Sequence, residues 1–178
     1  QLRQRKPHAP LLLMGYYNPF LRYGLERFAE DASEAGVDGL IVPDLPTEEA
    51  GPLLRIARSR SLRLIPLLAP TSTDQRIAQA CKGAGGFIYC VSLTGVTGAR
   101  VTMREGLSGL VSKIRQHTDL PILVGFGIST PEHVTEVSQF ADGAIFGSAL
   151  IDAIADMPKA QAAQKTREFV AGMRPVGS

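Results

Sequence analysis

The sequence predicts an α/β fold of six consecutive β/α units, from three observations. Short apolar runs alternate with amphipathic stretches along the chain. The apolar runs are continuous, as in strands that a parallel sheet buries on both faces. The last two runs end in glycine and then open a helix, at Gly125-Phe126-Gly127 and Gly147-Ser148. A doubly wound sheet fits six units, but phosphate-binding turns after the final two strands favour a (β/α)₈ barrel.

The elements follow in order. We predict strands at 11–14, 39–42, 63–68, 87–91, 121–124 and 142–146. We predict helices at 21–35, after Thr47, from the segment 71–74 toward Cys81, at 107–117, after Thr130, at about 149–155 and at about 160–172. Gly36 ends the first helix, and Thr47 is a candidate N-cap. Thr71-Ser72-Thr73-Asp74 resembles a capping box, and Thr130-Pro131 starts a helix with proline at its first position. We predict a long loop over residues 92–106. Since a barrel needs eight units and about 250 residues, we expect a single domain, residues 1–178, that forms the C-terminal three quarters of a barrel, with two units ahead of Gln1.

Composition excludes several classes of protein. Nineteen basic and seventeen acidic residues give a net charge of +2, too close to balance for nucleic acid or a charged membrane surface. The histidines lack metal-ligand spacing, so we predict no metal site. Cys81 and Cys90 are expected to be buried thiols in a reducing compartment, and the absence of a signal peptide or apolar span predicts a cytoplasmic protein. The basic residues near Gln1 predict a solvated, frayed end.

The two glycine turns predict a phosphate site. Glycine leaves backbone N–H groups uncovered and a helix start carries partial positive charge, so Gly127, Gly147 and Ser148 are candidates to hold an anion. A dinucleotide site is disfavoured because Gly125-Phe126-Gly127 lacks a third glycine. The expected ligand is a small phosphorylated metabolite.

Six segments in register resemble one family. They are Tyr16-Tyr17-Asn18-Pro19, Pro43-Asp44-Leu45-Pro46, Leu68-Ala69-Pro70-Thr71-Ser72, Tyr89 through Gly98, Gly125 through Ser129, and Gly147-Ser148-Ala149. In this order they resemble the tryptophan synthase alpha subunit. The resemblance implies a TIM barrel lyase of tryptophan biosynthesis that cleaves indole-3-glycerol phosphate to indole and glyceraldehyde 3-phosphate by a retro-aldol reaction. It implies no cofactor on this chain, and a heteromeric complex with a beta subunit that carries pyridoxal phosphate.

The resemblance also implies roles for individual residues. The phosphate cradle combines Gly98 with Gly127, Gly147 and Ser148. Tyr16 and Tyr89 match aromatic positions of the indole pocket. Ile41 and Phe126 are candidates for its apolar walls. Thr97 lies in a loop that closes over the substrate. The Asp44 loop matches a surface that meets the beta subunit, so we expect Asp44 to orient that loop rather than to act as a base.

The sequence departs from the family pattern in one respect. The family's two catalytic carboxylates belong to the first two β/α units, so the resemblance assigns neither to a residue of this chain, and we expect the chain alone to be inactive. Two alternatives stay open: an inactive fragment that serves as a ligand- or partner-binding module, and another phosphate-binding barrel such as a phosphoribosyl isomerase. The Gly95-Val96-Thr97-Gly98 loop counts against the isomerase.

Overall fold

The computed structural model describes residues 1–91, 100–125 and 127–175, with the backbone alone at 100–104. The chain folds into two compact units. Unit 1 comprises Gln1–Leu68, Ser72–Ile88 and Ile114–Leu120, and unit 2 comprises Ala69–Thr71, Tyr89–Lys113 and Pro121–Ser178.

Each predicted strand is followed by helical structure, in the predicted order, and a short helix that was not predicted precedes the first strand. In chain order the elements are α1 (Leu2–Arg5), β1 (Leu12–Met14), α2 (Tyr17–Tyr23), α3 (Leu25–Glu34), β2 (Gly39–Ile41), α4 (Gly51–Ser59), β3 (Arg63–Ile65), β4 (Leu67–Leu68), α5 (Asp74–Gly83), β5 (Ile88–Val91), α6 (Arg100–Arg115), β6 (Ile122–Gly125), α7 (Pro131–Val137), β7 (Gly143–Ile145), α8 (Ser148–Ile154) and α9 (Lys159–Gly172). None of the helices in the described ranges has the length and apolar character needed to cross a membrane.

Unit 1 contains a parallel three-stranded sheet in the order β1-β2-β3. Met14 pairs with Ile41, and Ile41 pairs with Ile65, so the three strands end together. Every residue of β2 is buried, as expected for a central strand. Its Leu40 packs in one cluster with Phe20 and Leu53, which come from the helices α2 and α4. Burial of such side chains stabilises the unit by about 1.5–3 kcal/mol each.

In unit 2 the strands β5, β6 and β7 are neighbours in that order. β6 and β7 are parallel, with Leu123 opposite Gly143 and Gly125 opposite Ile145. Cys90, Ile122 and Val124 are fully or almost fully buried in this unit. The ring of Phe146, directly after β7, lies edge-on to Phe169 of α9 at 5.6 Å between centroids. The carboxyl ends of β6 and β7 therefore lie side by side.

Four local predictions differ from the structure. The segment 21–35, predicted as one helix, belongs to two helices, α2 and α3. They are separated at Gly24, whose φ of +93° an α-helix does not allow. The strand 63–68 is interrupted at Pro66, which has no N–H to give to a ladder. α4 begins at Gly51 rather than at Thr47, with a proline in its first turn.

The fourth difference concerns the predicted loop 92–106. α6 begins at Arg100, so residues 100–106 are helical and the prediction of a loop there is wrong. Residues 92–99 lie outside the described part of the chain. Thr130 opens α7 as predicted, and its hydroxyl accepts a hydrogen bond from the His133 amide at 3.4 Å. α5 begins within the predicted segment Thr71-Ser72-Thr73-Asp74, where the Thr73 hydroxyl accepts a hydrogen bond from the Arg76 amide at 3.3 Å. Thr47 is not the cap of α4, whose N-cap residue is Ala50.

The basic N-terminal end is not frayed at Arg3. The Arg3 guanidinium donates to the Gly36 carbonyl at 2.6 and 3.0 Å and pairs with the Asp38 carboxylate. Asp38 in turn accepts a hydrogen bond from the Leu11 amide at 2.7 Å. These contacts attach the segment before β1 to the α3–β2 connection.

Candidate functional site

The clearest candidate site lies in unit 2, where β6 and β7 end. Gly125 lies opposite Ile145 in the sheet. Gly127 and Gly147 come two residues after this pair, each on its own strand, so the two glycines follow neighbouring strand ends. Both glycines are exposed, and a Cβ built on either meets no atom of the described residues within 4 Å. The described residues therefore leave room for a ligand beside both glycines, which follow neighbouring strand ends.

The two glycines differ in why glycine is needed. Gly127 has φ +70°, a conformation that L side chains rarely adopt, so its turn alone explains it. Gly147 has φ −136°, outside the left-handed region. Neither a positive φ nor crowding within the described residues accounts for glycine at position 147. Close approach of a ligand to the backbone would account for it.

Gly147 is also the N-cap of α8, and no side chain caps this helix. The Gly147 carbonyl accepts hydrogen bonds from the amides of Leu150 and Ile151, both at 3.0 Å. The first amides of a helix have no partner within it, so those of Ser148 and Ala149 are available to an outside acceptor. Uncovered amides and the positive end of the helix can together hold an anion.

Tyr89 lies beside the same strand ends. Its ring covers Gly125: a Cβ on Gly125 would come within 2.8 Å of Tyr89 Cζ. Tyr89 is half-buried, and burial raises the pKa of its hydroxyl. The phenol thus stays protonated at neutral pH and presents a flat aromatic surface. Gly125 was given no role by sequence reasoning, although its place in Gly125-Phe126-Gly127 is a signal for close backbone approach.

Unit 1 holds three further candidate residues at the carboxyl ends of β1 and β2. Tyr16 is the N-cap residue of α2 and is 67% exposed. Ile41 ends β2 and is 7% exposed. Asp44 follows in the next loop, and its Oδ1 accepts a hydrogen bond from the Tyr17 amide at 2.8 Å. This bond gives Asp44 a capping role that sequence reasoning missed, because the helix precedes Asp44 in the chain.

Three sequence-predicted residues, Thr97, Gly98 and Phe126, lie outside the described residues. Within the part that is described, no three His, Cys, Asp or Glu side chains form a group that could hold a metal ion. The assignments of the predicted site residues stay predictions.

Comparison with known proteins decides the family. The family model described as tryptophan synthase alpha chain matches residues 1–176. The chain belongs to the tryptophan synthase alpha chain family.

Relatives and solved structures of this family agree. The tryptophan synthase alpha chain of Chloroflexus aggregans is 60% identical over 152 residues, which cover 85% of this chain and 57% of that protein. The alpha chain structure from Legionella pneumophila has a TM-score of 0.85 at 38% identity, covering 98% of this chain and 64% of that one. A structure of the tryptophan synthase α2β2 complex from Pyrococcus furiosus has a TM-score of 0.84 at 33% identity, covering 97% and 70%.

These comparisons confirm the predicted fold class and family. The chain has the α/β fold of the (β/α)₈ barrel family, with six of the eight units. It spans less than two thirds of the length of the Chloroflexus and Legionella tryptophan synthase alpha chains.

Proposed function

We propose that this chain forms the ligand-binding part of a carbon–carbon lyase of tryptophan biosynthesis. The proposed reaction is cleavage of indole-3-glycerol phosphate to indole and glyceraldehyde 3-phosphate. The observation that carries the proposal is the family match over residues 1–176. The same match disfavours the phosphoribosyl isomerase alternative.

The proposed reaction is a retro-aldol cleavage. An acid protonates the indole ring carbon that bears the side chain, which makes the ring an electron acceptor. A base removes the proton from the hydroxyl next to the breaking bond, the C–O bond becomes a carbonyl, and the electron pair of the C–C bond passes to the ring. Two positioned carboxylates suit these tasks. The protonated indole is itself the electron sink, so the reaction needs no cofactor on this chain.

The proposed roles of this chain are substrate binding and orientation. The amides at Gly127, Gly147 and Ser148 hold the phosphate, with Gly98 beside them. The phenol ring of Tyr89 packs on the indole, together with Phe126. Thr97 closes over the bound substrate. The uncapped start of α8 and the open space at both glycines support the phosphate part.

We further propose that the chain works beside a beta subunit, in the cytoplasm. The similar Pyrococcus furiosus structure is that of an α2β2 complex, which supports a partner of this kind. The proposed contact is the loop that follows β2, whose Pro43 and Asp44 are exposed. Pyridoxal phosphate is assigned to the beta subunit, which consumes the indole.

Two measurements on this chain test the proposal. Calorimetric titration with indole-3-propanol phosphate, a substrate analogue that cannot be cleaved, is expected to show binding. Incubation with indole-3-glycerol phosphate is expected to release no indole, because neither catalytic carboxylate is assigned to residues 1–178. Failure to bind the analogue contradicts the proposed lyase. Substantial indole release would place both carboxylates on this chain and contradict the assignment of roles.

A further inference from the structure

A separate cavity of about 460 Å³ lies within unit 1, between α4, α5, β3 and the loop that follows β2. Cavities of this size accommodate one small molecule. Of the candidate residues in the described part of the chain, only Asp44 lines it. Its apolar wall includes Leu54, Leu64 and Leu67, each of which is only half-buried by the protein itself.

Two arginines, one at each end of α5, connect the walls of the cavity; Arg76 belongs to α5 and Arg58 belongs to α4. In the first turn, Arg76 pairs with Glu48 of the loop at 3.1 Å. At the last turn, Arg58 of α4 donates to the carbonyls of Lys82 and Gly83, both at 3.3 Å. Gln79 and Ala80 of α5 also line the cavity. The loop, α4 and α5 are thereby connected across a space that no side chain of the described residues fills.

The two ends of the cavity differ in charge. The charge of Arg76 is balanced by Glu48. Arg58 and Lys82, which line the other end, form no ion pair with an acidic side chain among the described residues. Among the described residues, the hydrogen-bond partners of Arg58 there are the carbonyl oxygens of Lys82 and Gly83. A carboxylate is a stronger, bidentate partner for a guanidinium.

We propose that this cavity binds a small carboxylate with an apolar body. The half-buried leucines would cover the body, and Arg58 and Lys82 would hold the carboxylate. A neutral apolar molecule would leave both cations without a partner, and a small hydrophilic anion would gain nothing from the leucines. This site is independent of the proposed lyase site in unit 2.

The test uses 2-naphthoate and its neutral analogue 2-naphthamide, titrated into the ¹⁵N-labelled chain. We expect 2-naphthoate to shift the amide resonances of α4 and α5 and to bind at least tenfold more tightly than 2-naphthamide. The R58Q/K82Q double variant should lose that tenfold preference while binding 2-naphthamide as before. R55Q, which removes an exposed arginine from the same helix but outside the cavity, should keep the preference.

Three outcomes would overturn the site: equal affinity for the two probes, an unchanged preference in R58Q/K82Q, or shifts confined to elements that do not line the cavity. If the double variant does not fold, the preference for 2-naphthoate is measured in K82Q alone, which should fold because Lys82 is exposed. Binding of indole-3-propanol phosphate is measured separately, so this site and the proposed function can fail independently.

Discussion

Asp44 caps a helix that starts 27 residues before it in the chain, since its Oδ1 accepts a hydrogen bond from the Tyr17 amide at 2.8 Å. The amide belongs to the first turn of α2, which no neighbouring side chain caps. A carboxylate at this position both satisfies an orphan donor and faces the positive end of the helix. Asp44 therefore connects the loop after β2 to the helix after β1.

This bond predicts the effect of changing Asp44. Asp44→Ala should lower the free energy of unfolding by about 1 kcal/mol, as for the loss of a helix cap. Asp44→Asn keeps an oxygen acceptor and should cost less. Urea unfolding of the three proteins measures the order. Equal midpoints for wild type and Asp44→Ala would show that the bond contributes nothing to stability.

The contact between Gly125 and Tyr89 predicts a second effect. Gly125→Ala should destabilise unit 2 by about 1–3 kcal/mol, because the new methyl group would come within 2.8 Å of the Tyr89 ring. The matched control is Gly109→Ala in α6, where a Cβ meets nothing within 4 Å. There the same change should stabilise the chain by about 0.5–1 kcal/mol.

A double-mutant cycle identifies the cause of the Gly125 effect. If the ring causes it, Gly125→Ala should cost less in a Tyr89→Ala background than in the wild type. Thermal or urea unfolding of the four proteins gives the coupling. Strictly additive effects would mean that the methyl group clashes with something other than Tyr89.

The Asp38 carboxylate predicts a pH dependence of stability. The hydrogen bond from the Leu11 amide, and then the Arg3 guanidinium, lower the pKa of Asp38 below its ordinary value near 4. A carboxyl whose folded-state pKa is lowered contributes stability that is present above its unfolded pKa and is lost as pH falls through the folded value. We expect the free energy of unfolding to decline as the pH falls below about 4.

Asp38→Asn should remove part of that decline, which urea unfolding across the acidic range up to neutral pH measures. Asp156→Asn, at an exposed carboxylate of unit 2, serves as the control and should leave the wild-type slope in place. An identical pH profile for wild type and Asp38→Asn would rule out this contribution.

The sequence was sufficient for the order of the elements, because each strand is a continuous apolar run and the helices after Thr73 and Thr130 begin with their own caps. Helix boundaries that depend on the backbone conformation of one residue could not be predicted from the sequence. Glycine at position 24 fits within a helix as well as between two, and only its φ of +93° shows that the helix ends there. The start of α6 at Arg100 was missed because the apolar face that predicts this helix begins only at Leu107.

Within the candidate sites, the sequence predicted residues that belong to local motifs, and it did not predict contacts between residues far apart in the chain. The glycines at 125, 127 and 147 stand out in the sequence because each follows or ends an apolar run. The capping of α2 by Asp44 and the attachment of Arg3 to Gly36 and Asp38 join residues 27 to 35 positions apart. No spacing rule within one element indicates such pairs, since they depend on the order of strands in the sheet.

Gly147 provides the most direct test of the phosphate proposal. Gly147→Val should weaken binding of indole-3-propanol phosphate at least tenfold, because the side chain would occupy the space where the anion approaches the amides. The fold should be retained, since the φ of Gly147 is −136° and a Cβ there meets no described residue within 4 Å. Gly172→Val is the matched control: it places the same side chain at the end of α9, where a Cβ meets no described residue within 4 Å, and should leave the calorimetric dissociation constant unchanged. Gly127→Ala is less informative, because φ +70° strains any side chain and would mix a loss of stability with a loss of binding. Unaltered affinity in a folded Gly147→Val variant would remove Gly147 from the phosphate cradle.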